Sequence, residues 1–398
     1  MLAARSVVSA TARALSRPAG ARAFASAPVE ADVVMIDYAE LTDPSPPPSL
    51  IGRIQRAYGP NGLGILAVSN VPDYEERRKA LLPLARRLAS LPEDELTKLE
   101  DPASFYSVGW SHGKEVFQGK PDLAKGSFYA NPLHNEVDLS ALGEEEAARL
   151  RKEYAPFLAA NRWPESIPEL EDAFMQLGSL IVSTGALVGR ACDALVAASG
   201  VGETSSLEEV VMQSRVPKGR LLWYFPVEEP AADSATAFDG AIDDSWCGWH
   251  NDHGSLTGLC RAMFVDEDGN EASVTDPAAG LYARARDGTV ARVTLPEGCM
   301  GFQIGETAQV CSGGVLQATP HAVRAAGAPG IGRAQLAVFM EPEWDGKMEL
   351  PSGISHEDVM RDAKGRVLPK GVPSLAGRFE VGDTFGTFSD KTLKEYYG

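Results

Sequence analysis

Residues 254–270 read Gly-Ser-Leu-Thr-Gly-Leu-Cys-Arg-Ala-Met-Phe-Val-Asp-Glu-Asp-Gly-Asn: a short apolar run over Gly258–Phe264, then the turn formers Asp266-Glu267-Asp268-Gly269-Asn270. An apolar run this short, closed by Asp, Gly and Asn, predicts a strand entering a hairpin rather than a helix. The same texture fills the chain after Met212. Short runs occur at Arg220–Phe225, Gly280–Arg284, Val290–Leu295, Gly301–Ile304, Gln317–Ala318 and Gln335–Phe339, and Arg286-Asp287-Gly288 supplies a second hairpin turn. Many short strands at regular spacing predict a sandwich or barrel.

Ahead of Met212 the period changes. Tyr74–Ser90 carries Leu81, Leu82, Leu84, Ala85 and Leu88 at helical spacing, and Ser49–Tyr58, Leu139–Tyr154 and Pro168–Ala198 read as further helices, the last closed by Gly200. Short strands are expected at Val33–Ile36 and Gly62–Asn70, and residues 101–137 read as irregular. Ala173–Gly189 holds 17 residues without a charge, but Gln176, Gly178, Ser179, Ser183 and Thr184 interrupt it. That is short and polar for a membrane span, so a helix buried in a globular core is expected and no membrane partner. The chain thus divides into a mainly helical region over 30–211, a β core over 212–345 and a C-terminal extension over 346–398, an α+β organisation.

Residues 1–29 contain Arg5, Arg13, Arg17 and Arg22 and no acidic residue. Arginines on one face and apolar residues on the other describe a basic amphipathic helix, the signature of an organelle transit peptide. Arg22-Ala23-Phe24-Ala25-Ser26 resembles a mitochondrial processing site cut after Phe24, which predicts a mitochondrial protein; a plastid address shares the composition, and a cytosolic protein with a solvated N-terminus is the alternative. The formal charge of −18 repels phosphate backbones and argues against a nucleic-acid partner. Five cysteines, an odd number with no CxxC pair, exclude a disulfide framework or zinc ribbon and suit free thiols in a reducing compartment.

Of six histidines, His250 stands out, in Trp249-His250-Asn251-Asp252-His253-Gly254. Residues two apart on a strand share a face, so His250 and Asp252 can bind one ion from one side. A third ligand at His321, 71 residues on in the same β-rich region, completes two histidines and a carboxylate. Such a set leaves three octahedral positions open, as non-haem iron(II) requires to bind a co-substrate and oxygen.

The segment from about Arg220 to Pro342 resembles the 2-oxoglutarate/iron(II)-dependent dioxygenases of the isopenicillin N synthase-like group. The likeness is a run of ordered features: Leu222-Trp223-Tyr224-Phe225-Pro226 before the metal site, His250-Asn251-Asp252-His253-Gly254-Ser255-Leu256-Thr257, Gly280-Leu281-Tyr282, Gly305-Glu306 leading to Cys311-Ser312-Gly313-Gly314, His321-Ala322-Val323-Arg324, and Arg333-Ala334-Gln335-Leu336-Ala337-Val338-Phe339. Ile36-Asp37 and Gly62-Leu63-Gly64-Ile65-Leu66 match the group's N-terminal region. The resemblance implies a double-stranded β-helix, or jelly roll, with flanking N-terminal helices, and iron on His250, Asp252 and His321. It also implies that Arg333 forks onto the distal carboxylate of 2-oxoglutarate, oxygen being the oxidant and a small molecule the substrate.

Three departures bear on the co-substrate. Gln335 stands where the group carries serine. The tyrosine that commonly helps hold 2-oxoglutarate falls at Phe225, leaving Tyr224 as the neighbouring hydroxyl. The spacing from His250 to His321 is long, as an extended hairpin near Asp266–Asp276 would make it. Two rivals follow: an iron oxidase of the same fold that does without 2-oxoglutarate, and a non-catalytic metal-binding scaffold. His253 is expected to point away from the metal, His112 and His134 to cap or lie at the surface, and His356 to be solvated. Residues 109–115 and 125–132 are expected to fold over the barrel mouth, and Trp246, Trp249 and Phe302 to shield the oxidant.

Overall fold

The computed structural model describes residues 29–397, apart from 115, 118–119, 228–244, 275, 277–278, 326–327, 365–367 and 370. The transit-peptide reading of residues 1–29, with its cut after Phe24, lies outside the described residues but for Val29.

Among the described residues two large sheets face one another. One has nine strands. Its order runs Val34–Asp37, Ile65–Ser69, Met300–Ile304, Leu256–Leu259, Gly332–Met340, Lys218–Tyr224, Lys125–Ala130 and Gly109–His112, with Met263–Val265 added alongside Gly332–Met340. The other has five, in the order Val29–Glu30, Val290–Val293, Gly280–Arg284, His321–Arg324 and Ser245–His250. Alternation along each strand sends one row inward. Ala67, Leu222, Tyr224, Leu259 and Ala337 of the larger sheet meet Trp246, Leu281, Ala283, Val293 and Val323 of the smaller in one apolar layer.

The opposite row of the larger sheet packs on the helix Glu169–Ala198, whose Phe174, Leu177 and Ile181 are fully buried. This helix is long and apolar enough by composition to cross a membrane. Here its apolar side lies against the sheet, and two glycines allow the approach. A Cβ on Gly258 would collide with Ile181, and one on Gly185 with Met340.

Two expectations need correction. Residues 101–137 are not irregular throughout, because Gly109–His112 and Lys125–Ala130 are strands that extend the larger sheet beside Lys218–Tyr224. They therefore form part of its wall. The pair Gln317–Ala318 is loop rather than strand. Of the extended hairpin expected near Asp266–Asp276, residues 275 and 277–278 lie outside the described residues, and Met263–Val265 runs into a turn at Asp266 that one bridge, Val265 to Glu271, closes. Arg78, 1% exposed, pins it by donating to the carbonyls of Arg261 (2.7 Å) and Ala262 (2.9 Å).

Candidate metal centre

His250 ends the strand Ser245–His250 and His321 begins His321–Arg324; the two stand directly opposite in the antiparallel pair. That register brings the imidazole centroids to 4.2 Å. The chain leaves the strand after His250, so Asp252 reaches the site from a loop rather than from the strand face the H-x-D spacing predicted. Its Oδ1 lies 3.8 Å from His250 Nε2 and 3.6 Å from His321 Nε2. The three ligand atoms all fall within 4.8 Å of one another.

Both rings are oriented from behind. His250 Nδ1 lies 2.8 Å from the Gly248 carbonyl and His321 Nδ1 3.3 Å from that of Thr319. A carbonyl can only accept, so Nδ1 carries the proton and Nε2 of each ring turns its lone pair to the common point. Asp252 is buried, and its Oδ2 has no hydrogen-bond partner. A buried carboxylate oxygen left bare costs free energy unless a ligand completes it, so the donor set fits a cation.

The charges reinforce one another. Burial raises the Asp252 carboxyl, but His321 and then His250 hold it below its usual range. Burial and the charge of His250 push His321 down to about 4. Burial alone would lower His250, yet Cys247, whose Sγ lies 3.7 Å from Nδ1, brings it up to about 9, so a cation taken at Nε2 would displace a proton from that nitrogen.

The loop carrying Asp252 is held on a second side. Glu306 N donates to Asp252 O (2.8 Å) and Thr307 Oγ1 to His253 O (2.7 Å). Asn251 Nδ2 donates to Glu306 Oε1 (3.0 Å), which also accepts from Arg378 Nη2 (2.7 Å). His253 turns away from the ligands, as expected, stacking on Phe385 and lying 3.0 Å from Ser389 Oγ. The residues after 346 thus reach the metal loop, and no sequence motif announced it. His356 is half-buried with Nε2 3.1 Å from the Phe379 carbonyl, not a solvated tail residue.

Arg333 lies in the same interior, 3% exposed, on Gly332–Met340. Its register partner is Tyr224, and its guanidinium sits 4.8 Å from the centre of that ring. Among the described residues no carboxylate pairs with it, and its buried Nη1 has no hydrogen-bond partner. Tyr224, not Phe225, therefore faces the arginine; Phe225 turns to the other side, 4.9 Å from His112. Gln335 commits its Nε2 to the Cys260 carbonyl (3.1 Å). Of the three aromatic residues expected to shield the site, only Trp246 faces the interior, 5.3 Å from Tyr224. Trp249 and Phe302 pack on the outer faces.

Sequence reading missed the buried Glu341 and the half-buried Lys218, which lie near one another at the ends of adjacent strands. Period-2 counting from Arg333 along its strand would have found Glu341.

No family model matches the sequence, and no curated protein matches it. Solved structures that share the fold are 2-oxoglutarate/iron(II) oxygenases. A 2OG-Fe(II) oxygenase family protein of Caulobacter crescentus is 18% identical over 92% of this chain and 99% of its own, with a TM-score of 0.61. A full-length Neurospora crassa protein, solved with α-ketoglutarate and 5-formyluracil, is 16% identical over 92% and 98%, TM-score 0.60. JOX2, solved with 2OG, Fe and JA, is 15% identical over 94% and 91%, TM-score 0.59. At such identities the likeness is one of fold.

Proposed function

We propose that this chain is a non-haem iron(II) oxygenase that uses 2-oxoglutarate and molecular oxygen to hydroxylate or otherwise oxidise a small organic molecule, on a jelly-roll core. The observation that carries this reading is the convergence of His250, Asp252 and His321 on one point, with the unpaired Arg333 guanidinium in the same interior. His250 and His321 would hold iron through Nε2 and Asp252 through its carboxylate. Arg333 would take the distal carboxylate of 2-oxoglutarate, which supplies the anion its buried charge lacks, with Tyr224 alongside. When bound, iron with 2-oxoglutarate and oxygen supplies a two-electron oxidation at the three positions the triad leaves open.

The chain's own residues do the rest. The carbonyls of Gly248 and Thr319 fix both imidazoles, and the Glu306–Asn251 contact steadies the loop between the ligands. Trp246, Leu222 and Leu259 keep the interior dry, which strengthens every charge–charge contact there. Thymine, 5-formyluracil and JA appear with the structural relatives, so a small-molecule substrate is the class we propose. We further propose that residues 1–29 direct the chain to mitochondria.

The test is an anaerobic iron(II) titration with 2-oxoglutarate, following the weak visible charge-transfer band of the chelate, with His321→Ala as control. A band in the parent that vanishes in the variant supports iron and co-substrate together. Iron binding without a band favours the 2-oxoglutarate-independent oxidase. No iron binding leaves the scaffold.

A further inference from the structure

Besides Arg333, the buried Glu341 and the half-buried Lys218, close together at the ends of adjacent strands, stand among the described residues without an opposite charge in contact. Glu341, 6% exposed, continues the inward row Arg333, Gln335, Ala337 and Phe339 past the end of its strand. A Cβ on Gly254 would lie 3.1 Å from Glu341 Cγ, so this side chain runs against the loop that carries Asp252. Lys218 opposes Phe339 in register on the neighbouring strand. Its Nζ donates to the carbonyls of Ser107 (3.1 Å) and Pro156. An ammonium has three donors, so one remains.

No ion pair closes between Lys218 and Glu341. Among the described residues no hydrogen-bond donor reaches the Glu341 carboxylate. Burial raises Glu341 to about 7, with Lys218 opposing and Asp252 adding to the rise. Burial lowers Lys218 to about 8. Two charges with a structural role alone would gain by closing on each other, since an unpaired buried charge is among the costliest features a fold can carry. Held apart beside a candidate metal centre, they read as groups waiting for a ligand.

We propose that Lys218 and Glu341 form the polar end of a substrate subsite. It takes a small, planar, neutral molecule that presents a hydrogen-bond acceptor to Lys218 and an adjacent N–H or O–H donor to Glu341, with Phe339 against its flat face. A fixed anion rejects a carboxylate substrate, and Lys218 rejects a cationic one. The proposal rests on the oxygenase reading, because it gives these groups to the substrate of that same interior.

The test is ligand-observed NMR binding to the full chain loaded with zinc(II) and 2-oxoglutarate, and to the metal-free chain. The probes are 2-pyridone, N-methyl-2-pyridone, benzoate and benzylamine. The parent is expected to bind 2-pyridone at least tenfold more tightly than the other three. Glu341→Leu is expected to lose at least tenfold for 2-pyridone while binding N-methyl-2-pyridone as the parent does. Lys218→Met is expected to lose at least tenfold for 2-pyridone and to weaken N-methyl-2-pyridone as well, since both probes keep the carbonyl acceptor. Preference for benzoate or benzylamine, affinities unchanged in the variants, or no binding of 2-pyridone overturns the proposal. If Glu341→Leu does not fold, Glu341→Gln decides, an unchanged affinity there overturning it. Failure of the oxygenase reading looks different: 2-pyridone binds in a Glu341-dependent way, yet iron and 2-oxoglutarate give no chelate band.

Discussion

Arg378, which reaches the metal loop through Glu306, and Arg333, which lies in the interior between the sheets, are equally buried at 3% exposure, and the fold treats them in opposite ways. Arg378 is saturated: it meets Glu306 at 2.7 Å, Thr392 Oγ1 at 2.8 Å and the carbonyls of Ser374 and Pro373 at 3.0 and 3.2 Å. Arg333 has an aromatic ring beneath it and an empty Nη1. The same contrast separates Glu306, whose Oε1 accepts two hydrogen bonds although its Oε2 accepts none, from Glu341, whose carboxylate accepts none among the described residues. A filled network fixes a geometry, whereas an unfilled one is matched to something that arrives later. The outer side of the loop is therefore scaffold and the inner side is the binding surface.

The largest effect should come from the inner side. Asp252→Ala removes the carboxylate that both imidazoles face, and iron(II) affinity should fall by roughly two orders of magnitude or more. Equilibrium titration under argon reads this directly. Retention of parent affinity would mean that the unpartnered Oδ2 is a packing accident, and the contrast would lose its inner half.

On the outer side, Arg378→Leu should leave the buried Glu306 without its counter-charge, with Asn251 as its remaining donor. Breaking one half of a buried pair costs about 3–5 kcal/mol, a drop of several degrees in Tm for a chain this size. Because Asn251 shares Glu306 Oε1 with Arg378, iron affinity should weaken as well, with partial recovery in Arg378→Lys. A stability loss with iron binding unchanged would uncouple scaffold from ligand loop.

Arg333→Met should behave in the opposite sense. With no carboxylate to strand, and Tyr224 its main contact, it should melt within a few degrees of the parent in the absence of 2-oxoglutarate, since replacing a buried charge that lacks a counter-charge by an apolar side chain is close to neutral. The cost should appear in the Kd for 2-oxoglutarate, about 100-fold if two charge-assisted hydrogen bonds are lost. Calorimetry with and without the co-substrate separates the two. A large drop in Tm without ligand would make Arg333 scaffold after all.

The inner side was the more readable from sequence, and the reason is physical. His and Asp two apart are conspicuous as residue types, although a loop and not the strand face brings Asp252 to His250, and His321 and Arg333 stand out through the ordered run of motifs around them. The outer side is built of ordinary residues joined across long separations. Nothing in Arg378 or Ser389 says that they touch the metal loop, because the contact exists only after the last helix, Phe385–Tyr397, docks. The strands Gly109–His112 and Lys125–Ala130 were unreadable for a related reason. Rich in Gly, Ser and Lys, they are strands only because Lys218–Tyr224, some 90 residues on, offers them an edge. Counting along the motif puts the tyrosine position at Phe225 and leaves Tyr224 as the neighbouring hydroxyl, and register against Arg333 makes Tyr224 the one that faces in.

The smallest effect tests the inner side's other unfilled charge by pH. Burial raises the Glu341 carboxyl in the folded chain to about 7 from an ordinary 4.5. A folded value above the unfolded one means that the folded state holds the proton more tightly. The stability this contributes is complete below pH 4.5 and is lost as pH rises through 7. Lys218 runs the other way: depressed to about 8, its contribution is present above 10.5 and lost as pH falls through 8. His321 and His253, both held down to about 4 from 6.5, also contribute between pH 5 and 7, so it is the difference between parent and a Glu341 variant that reports Glu341. Glu341→Gln mimics the protonated carboxyl and has no proton to lose, so variant and parent should melt together near pH 5 and diverge by a few degrees near pH 7.5, the variant higher. Coincident melting curves at both pH values would mean that Glu341 already has its partner, and that the inner side is as filled as the outer.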